Sequence, residues 1–197
     1  MTEIEIKARV TDRAALEKRL SSIADGPRKL VRDDEYWGAS AESHRKIRLR
    51  HEIHFPAGAE KTEDWLVTYK RKEARISESG IMSEVTNEME TLVSDPEPLR
   101  AFLTDNGFTI KLRKHKDVMD WTKPVDIPGL EPLTACFELC TVPPLGDFLE
   151  IEILSLGDGP QEVQAVQAEL DRLLEMAGIP REQIEPRYYS ELLRLVQ

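Results

Sequence analysis

Apolar and polar positions alternate strictly over residues 2–10, with Glu3, Glu5, Lys7 and Arg9 on one face and Ile4, Ile6, Ala8 and Val10 on the other. A period of two predicts a β-strand with one charged and one apolar face. The period then lengthens. From about Thr11, Leu16, Leu20 and Ile23 recur at helical spacing, and Gly26-Pro27 ends that helix. Alternation returns over 44–52, where Lys46, Arg48 and Arg50 oppose Ile47 and Leu49. It recurs over 65–72, where Thr68, Lys70 and Lys72 oppose Val67 and Tyr69, and over 83–93, where Glu84, Thr86, Glu88 and Glu90 oppose Val85 and Met89. The Pro, Gly and charge content of 54–64 predicts a loop.

Asp95-Pro96 opens a second helix as an N-cap followed by proline; Leu99, Phe102 and Leu103 form its expected buried side, and Gly107 stops it. Residues 108–121 return to strand character with Lys114 and Lys116 on one face. Lys111 and Arg113 have the opposite parity, which predicts a bulge or turn. The prolines of 122–135 predict a loop. Two strands follow, CFELCTV and FLEIEIL, the second setting Glu150 and Glu152 opposite Leu149, Ile151 and Ile153. A helix over 160–177 ends at Gly178, and YYSELLRLV closes the chain as a short helix.

A chain of 197 residues is of a size usually built as one domain, here 1–197. With 40% hydrophobic and 32% charged residues it is too apolar for disorder, and it has no long uncharged stretch to span a bilayer. The N-terminus lacks the apolar core of a secretory signal, so a cytoplasmic protein is expected. A net charge of −10 argues against broad nucleic-acid or membrane-surface binding and leaves room for a homodimer. Cys136 and Cys140, four apart on one predicted strand and so roughly 13 Å apart, are too distant for a disulfide and lack metal-site spacing.

The charged positions are sorted by sign. Glu3/Glu5, Glu88/Glu90 and Glu150/Glu152 pair acid with acid, while Arg48/Arg50, Lys70/Lys72 and Lys114/Lys116 pair base with base. Each pair shares a strand face. A solvated face is the usual fate of such residues, but it normally mixes signs, and like charges side by side repel. The alternative is a sheet curled so that the charged face lines a closed interior. Clustered carboxylates suit a hard cation such as Mg²⁺ or Mn²⁺, and clustered Lys and Arg suit a polyanion. A metal-bound polyphosphate supplies both. No phosphate-cradling glycine loop or serine nucleophile elbow is present, and His44, His51, His54 and His115 show no metal spacing. Tyr188 and Tyr189 could touch a substrate, although an aromatic pair opening an apolar helix more often packs.

Glu3, Glu5 and Lys7 form an E-x-E-x-K element that resembles the opening signature of the CYTH superfamily, the triphosphate tunnel metalloenzymes. DEYW at 34–37, IRLR at 47–50, TYK at 68–70, EMET at 88–91 and Lys114-x-Lys116 resemble its later elements in order. LGDFLEIEI at 145–153 and YSELL at 189–193 are similar to class IV adenylyl cyclase-like members in particular. The resemblance implies an α+β fold, an eight-stranded antiparallel barrel or tunnel with helices packed outside. It implies Mg²⁺ or Mn²⁺ at Glu3, Glu5, Glu150 and Glu152, with Glu138 a further carboxylate. Lys7, Arg48, Arg50, Lys70, Lys72, Lys114 and Lys116 would grip a small-molecule triphosphate. Glu88 and Glu90 would coordinate metal or orient the basic residues. The chain departs from the family at Thr86, where many relatives carry arginine, and at Cys140, where cyclase-like members often carry aspartate.

The expected activities are cyclisation of ATP to cyclic AMP and pyrophosphate or, alternatively, hydrolysis of inorganic triphosphate, thiamine triphosphate or a nucleotide. A non-catalytic polyphosphate or nucleotide sensor is the third reading.

Overall fold

Eight antiparallel strands close into a barrel in the computed structural model, in the order β1-β5-β4-β3-β2-β6-β7-β8, with β8 pairing back to β1. The structure describes residues 2–39, 46–76, 82–157 and 159–196; the side chains of Lys46, of 70–76 and of 82–88 lie outside that description. The strands are β1 (Thr2–Arg9), β2 (Asp25–Gly38), β3 (Lys46–Phe55), β4 (Thr62–Ile76), β5 (Met82–Leu92), β6 (Thr109–Val125), β7 (Leu133–Val142) and β8 (Gly146–Ser155). The helices are α1 (Arg13–Ile23), α2 (Glu97–Asp105), α3 (Pro160–Ala177) and α4 (Tyr189–Arg194).

Alternation explains both faces. The apolar parity of β1, β7 and β8 (Ile4 and Ile6, Phe137 and Leu139, Leu149, Ile151 and Ile153) is buried outside the barrel wall against α1 and α3. Those helices contribute Leu16 and Leu20, and Val163, Val166, Leu170, Leu173 and Leu174. On another flank, Leu103 and Leu99 of α2 pack on Trp37, Leu49, Trp65 and Val67. Phe102, expected on the buried side of α2, is instead exposed, because the narrow apolar patch of β2–β4 accepts only one stripe of that short helix.

The seven strands read from periodicity are present, with shifted ends. The loop expected over 122–135 shrinks because β6 runs on to Val125 and β7 starts at Leu133. The bulge expected near Lys111 is real: Tyr36 faces Leu112 while Trp37 faces Ile110, so Lys111 is the extra residue. The eighth strand, β2, gave no periodic signal. Its second residue, Gly26, must be glycine, since φ is +149° and a Cβ would lie 2.8 Å from the Asp120 carbonyl. In sequence that glycine marks only the end of α1.

One end of the interior is apolar. Leu30, Val118, Cys140, Val142 and Phe148 share inward parity and pack with Tyr189 and Leu192 of α4, which plugs the barrel there. Among the described residues no helix is long and apolar enough to cross a membrane.

Candidate active site

Strand register places the charged residues before any side chain is considered. Lys114 on β6 and Arg50 on β3 both lie opposite Asp34 on β2. Arg32 lies opposite Lys116 and Glu52, Lys7 opposite Glu150, Glu150 opposite Glu138, and Glu5 opposite Glu152. The sequence therefore projects acids and bases from adjoining strands into one interior.

The basic side is organised on buried carboxylates. Asp34 accepts from Arg50 Nε at 2.7 Å and Nη2 at 3.2 Å, and Lys114 Nζ lies 3.1 Å away. Burial alone would raise the Asp34 pKa, but Arg50 and Lys114 hold it well below the usual carboxylate range. Lys116 Nζ donates to Glu138 at 2.7 Å and to Glu150 at 2.5 Å. Against the effect of burial, Lys116, Lys114 and Lys7 keep Glu150 ionised. Arg32 spans Glu52 and Glu138. Arg48 Nη2 donates to Thr68 at 2.9 Å and to Glu90 at 3.2 Å. Burial, reinforced by Lys116 and Arg50, pushes the Lys114 pKa down to about 8 despite Asp34.

Lys7 points to the plugged end, where its Nζ donates to the Arg187 carbonyl at 2.7 Å. The carboxylates of Glu3, Glu5 and Glu152 form a separate cluster, half-buried, with one oxygen from each within 4.8 Å of the others. Glu138, Cys140 and Glu150 form a second, buried group at the same mutual distance. The residues named from sequence as metal ligands thus divide: Glu3, Glu5 and Glu152 together, Glu138 and Glu150 among the lysines, and Glu90 beside Arg48. The side chains of Lys70, Lys72 and Glu88 lie outside the described residues; the backbone register sets Lys70 opposite Glu88 and Lys72 opposite Thr86.

The trio Glu3, Glu5 and Glu152 fits a divalent cation by donor chemistry, since it offers only hard carboxylate oxygens at close range. Cys136 and Cys140 are free thiols. Burial raises the pKa of both, to about 12 for Cys136. The described histidines sit on the outer wall or rim, His51 stacked on Trp65 and His115 beside Asp33.

No protein-family model matches the chain, and no curated protein matches it. Solved structures do. The PH1819 protein of Pyrococcus horikoshii superposes with a TM-score of 0.74 at 22% identity, over 99% of both chains. A candidate adenylate cyclase from Vibrio parahaemolyticus gives 0.70 at 16% identity, over 98% of both chains. A candidate adenylyl cyclase from Hippeastrum, described as having a dominant triphosphatase activity, gives 0.59 at 18% identity, over 99% of this chain and 96% of that one. The chain has the CYTH tunnel fold.

Within the CYTH barrel, several interior residues escaped the reading of paired charges. Asp34, Arg32 and Tyr36 come from β2, whose inward face mixes Leu30 with charges, and Glu52 continues the inward parity of β3 beyond Arg50. The DEYW element contained the signal for Asp34 and Tyr36, although it did not reveal the strand. Burial pushes the Tyr36 phenol up to about 12. Tyr189, expected to pack, does pack, and its ring also sits among Lys7, Lys114 and Lys116.

Proposed function

We infer that this chain is a divalent-metal-dependent enzyme of the CYTH type that cleaves a phosphoanhydride in a triphosphate held inside the barrel. The observation that carries this reading is segregation: an all-carboxylate trio lies on one wall, and Arg32, Arg48, Arg50, Lys114 and Lys116 line the other, with Arg48 and both lysines buried. A sensor that bound only the anion would need the bases and not the trio. Glu3, Glu5 and Glu152 would hold Mg²⁺ or Mn²⁺. A divalent cation bound there would neutralise phosphoryl oxygens and stabilise charge developing on the leaving group. Lys114, Lys116 and Arg50 would orient the phosphate chain and exclude water from it, at donors fixed by Asp34, Glu138 and Glu150.

Between the two reactions, the LGDFLEIEI and YSELL elements favour cyclisation of ATP, in which the ribose 3′-oxygen attacks the α-phosphorus and pyrophosphate leaves. Cys140, in place of the aspartate of cyclase-like members, favours hydrolysis, as does the triphosphatase activity ascribed to the Hippeastrum neighbour. A product assay decides. The protein is incubated with Mg²⁺ or Mn²⁺ and, separately, ATP, inorganic triphosphate and thiamine triphosphate, and the products are resolved by chromatography. Cyclic AMP with pyrophosphate establishes the cyclase; orthophosphate establishes the hydrolase and names its substrate. Tight binding without product overturns the enzyme reading in favour of a sensor.

A further inference from the structure

The ammonium groups of three lysines converge on one aromatic ring. Lys7, Lys114 and Lys116 lie 4.5, 5.0 and 4.8 Å from the Tyr189 ring centroid. Lys7 comes from β1 and the other two from β6, so only the closed barrel brings them together. The ring itself is fixed. Tyr189 is 8% exposed, meets Phe148 edge-on at 5.1 Å, and places its hydroxyl 3.5 Å from Cys140 Sγ. Its segment is tied to β1 at three points. Glu185 accepts from Arg9 at 2.9 Å, the Glu185 amide donates to the Lys7 carbonyl at 2.8 Å, and Lys7 Nζ donates to the Arg187 carbonyl.

Three like charges at one point repel, and the protein could hold them together in two ways. Carboxylates attract cations but neutralise them and occupy their donor hydrogens, in competition with any incoming anion. The negative face of an aromatic ring attracts cations through its quadrupole and carries no net charge. Each ammonium has three donors, and contact with a ring face leaves hydrogens available for other acceptors. Asp34, Glu138 and Glu150 anchor Lys114 and Lys116 from the side. The Tyr189 ring gives all three lysines a shared contact.

We propose that Tyr189 is a positioning residue whose ring holds Lys7, Lys114 and Lys116 as a three-pronged receptor for one end of a polyphosphate chain. This deepens the triphosphate reading above and rests on it. It makes the C-terminal helix part of the binding site and not merely a plug.

The test compares Tyr189→Phe, which keeps the ring and loses the hydroxyl, with Tyr189→Leu, which keeps apolar volume and loses the ring. Binding of inorganic tripolyphosphate to the full chain is measured by calorimetry, with thermal melting to confirm folding. The Phe variant should retain most of the affinity, and the Leu variant should bind about 30-fold more weakly, the equivalent of one desolvated cation–π contact. Under turnover the Leu variant should show a raised KM with kcat little changed. Equal binding by the Leu variant and the parent overturns the proposal, as does an equal loss in both variants. A parent that binds no tripolyphosphate overturns the triphosphate reading together with this one, and so is distinguished from failure of the ring alone. Should the Leu variant fail to fold, proton spectra of the parent still decide. The ring current should shift lysine ε-methylene resonances upfield, and three lysines at unshifted values overturn the proposal.

Discussion

Asp34 Oδ1 accepts a hydrogen bond from Arg50 Nε at 2.7 Å inside the barrel, and the aspartate side chain is completely shielded from solvent. Register sets the two residues opposite one another on β2 and β3, and β6 brings Lys114 from the other side. Removing one member of a buried ion pair strands the charge of its partners, at a cost of about 3–5 kcal/mol. Asp34→Asn should therefore unfold at lower denaturant concentration, with a loss on the order of 3 kcal/mol. Added tripolyphosphate should stabilise this variant more than the parent, because the anion supplies the charge that was deleted. Equal denaturant midpoints for the two proteins would refute the buried triad.

Lys114 should give tripolyphosphate binding a pH dependence. Its pKa is lowered from 10.5 to about 8 by burial and by Lys116 and Arg50, against the opposing pull of Asp34. An anion binds the charged form more tightly, so binding must raise this pKa and take up a proton when the free lysine is partly neutral. Affinity for tripolyphosphate should be highest below about pH 8 and fall as pH rises through that value. Calorimetry at pH 8 in buffers of different ionisation enthalpy should report proton uptake, and Lys114→Arg, which stays charged, should abolish it. Uptake unchanged in the arginine variant would assign the proton elsewhere.

The acidic trio is half-buried, so its loss should spare the fold and weaken the binding of a divalent cation. Glu3→Gln combined with Glu152→Gln should melt within a few degrees of the parent. It should bind Mn²⁺ at least about 100-fold more weakly, since even outer-shell partners of a metal contribute 10–100-fold. Titration of the free-Mn²⁺ electron paramagnetic resonance signal measures this without turnover. Unchanged Mn²⁺ affinity would direct attention to Glu138 and Glu150.

How far these sites could be read from sequence depended on strand chemistry. Strict alternation exposed β1, β3 and β8 because each has a clean apolar face that packs against helices or the outer wall. The same alternation revealed that Glu3 and Glu5, Arg48 and Arg50, and Glu150 and Glu152 share faces. β2 stayed hidden since both of its faces mix charge with apolar residues: Leu30, Arg32 and Asp34 point inward, and Val31, Asp33 and Glu35 occupy the other parity. Spacing within a strand also cannot show which strands become neighbours. Whether Glu150 sits with Glu3 or with Lys116 is fixed by barrel closure, and its carboxylate accepts from Lys116 at 2.5 Å. The role of Tyr189 was similarly out of reach, because the two lysine strands and α4 meet only in the folded barrel.

Glu185 links that helix to the barrel through charge, and acid should release it. Its carboxylate takes Arg187 Nη2 at 2.7 Å and Arg9 Nη2 at 2.9 Å. The hydrogen bonds from Arg187, then those from Arg9, lower its pKa from 4.5 to about 2. With a folded pKa below the unfolded one, the unfolded chain binds more protons in this window. The stabilisation is therefore complete above about pH 4.5 and is lost as pH falls toward 2. Glu185→Gln should cost roughly 1–3 kcal/mol at pH 6 in urea unfolding. That gap should shrink markedly at pH 3, because the parent carboxylate is then losing its own advantage. A gap of the same size at both pH values would mean that Glu185 contributes by packing alone. Because Tyr189 follows only a few residues later, the variant should also bind tripolyphosphate more weakly at pH 6 while leaving Mn²⁺ affinity at the acidic trio intact.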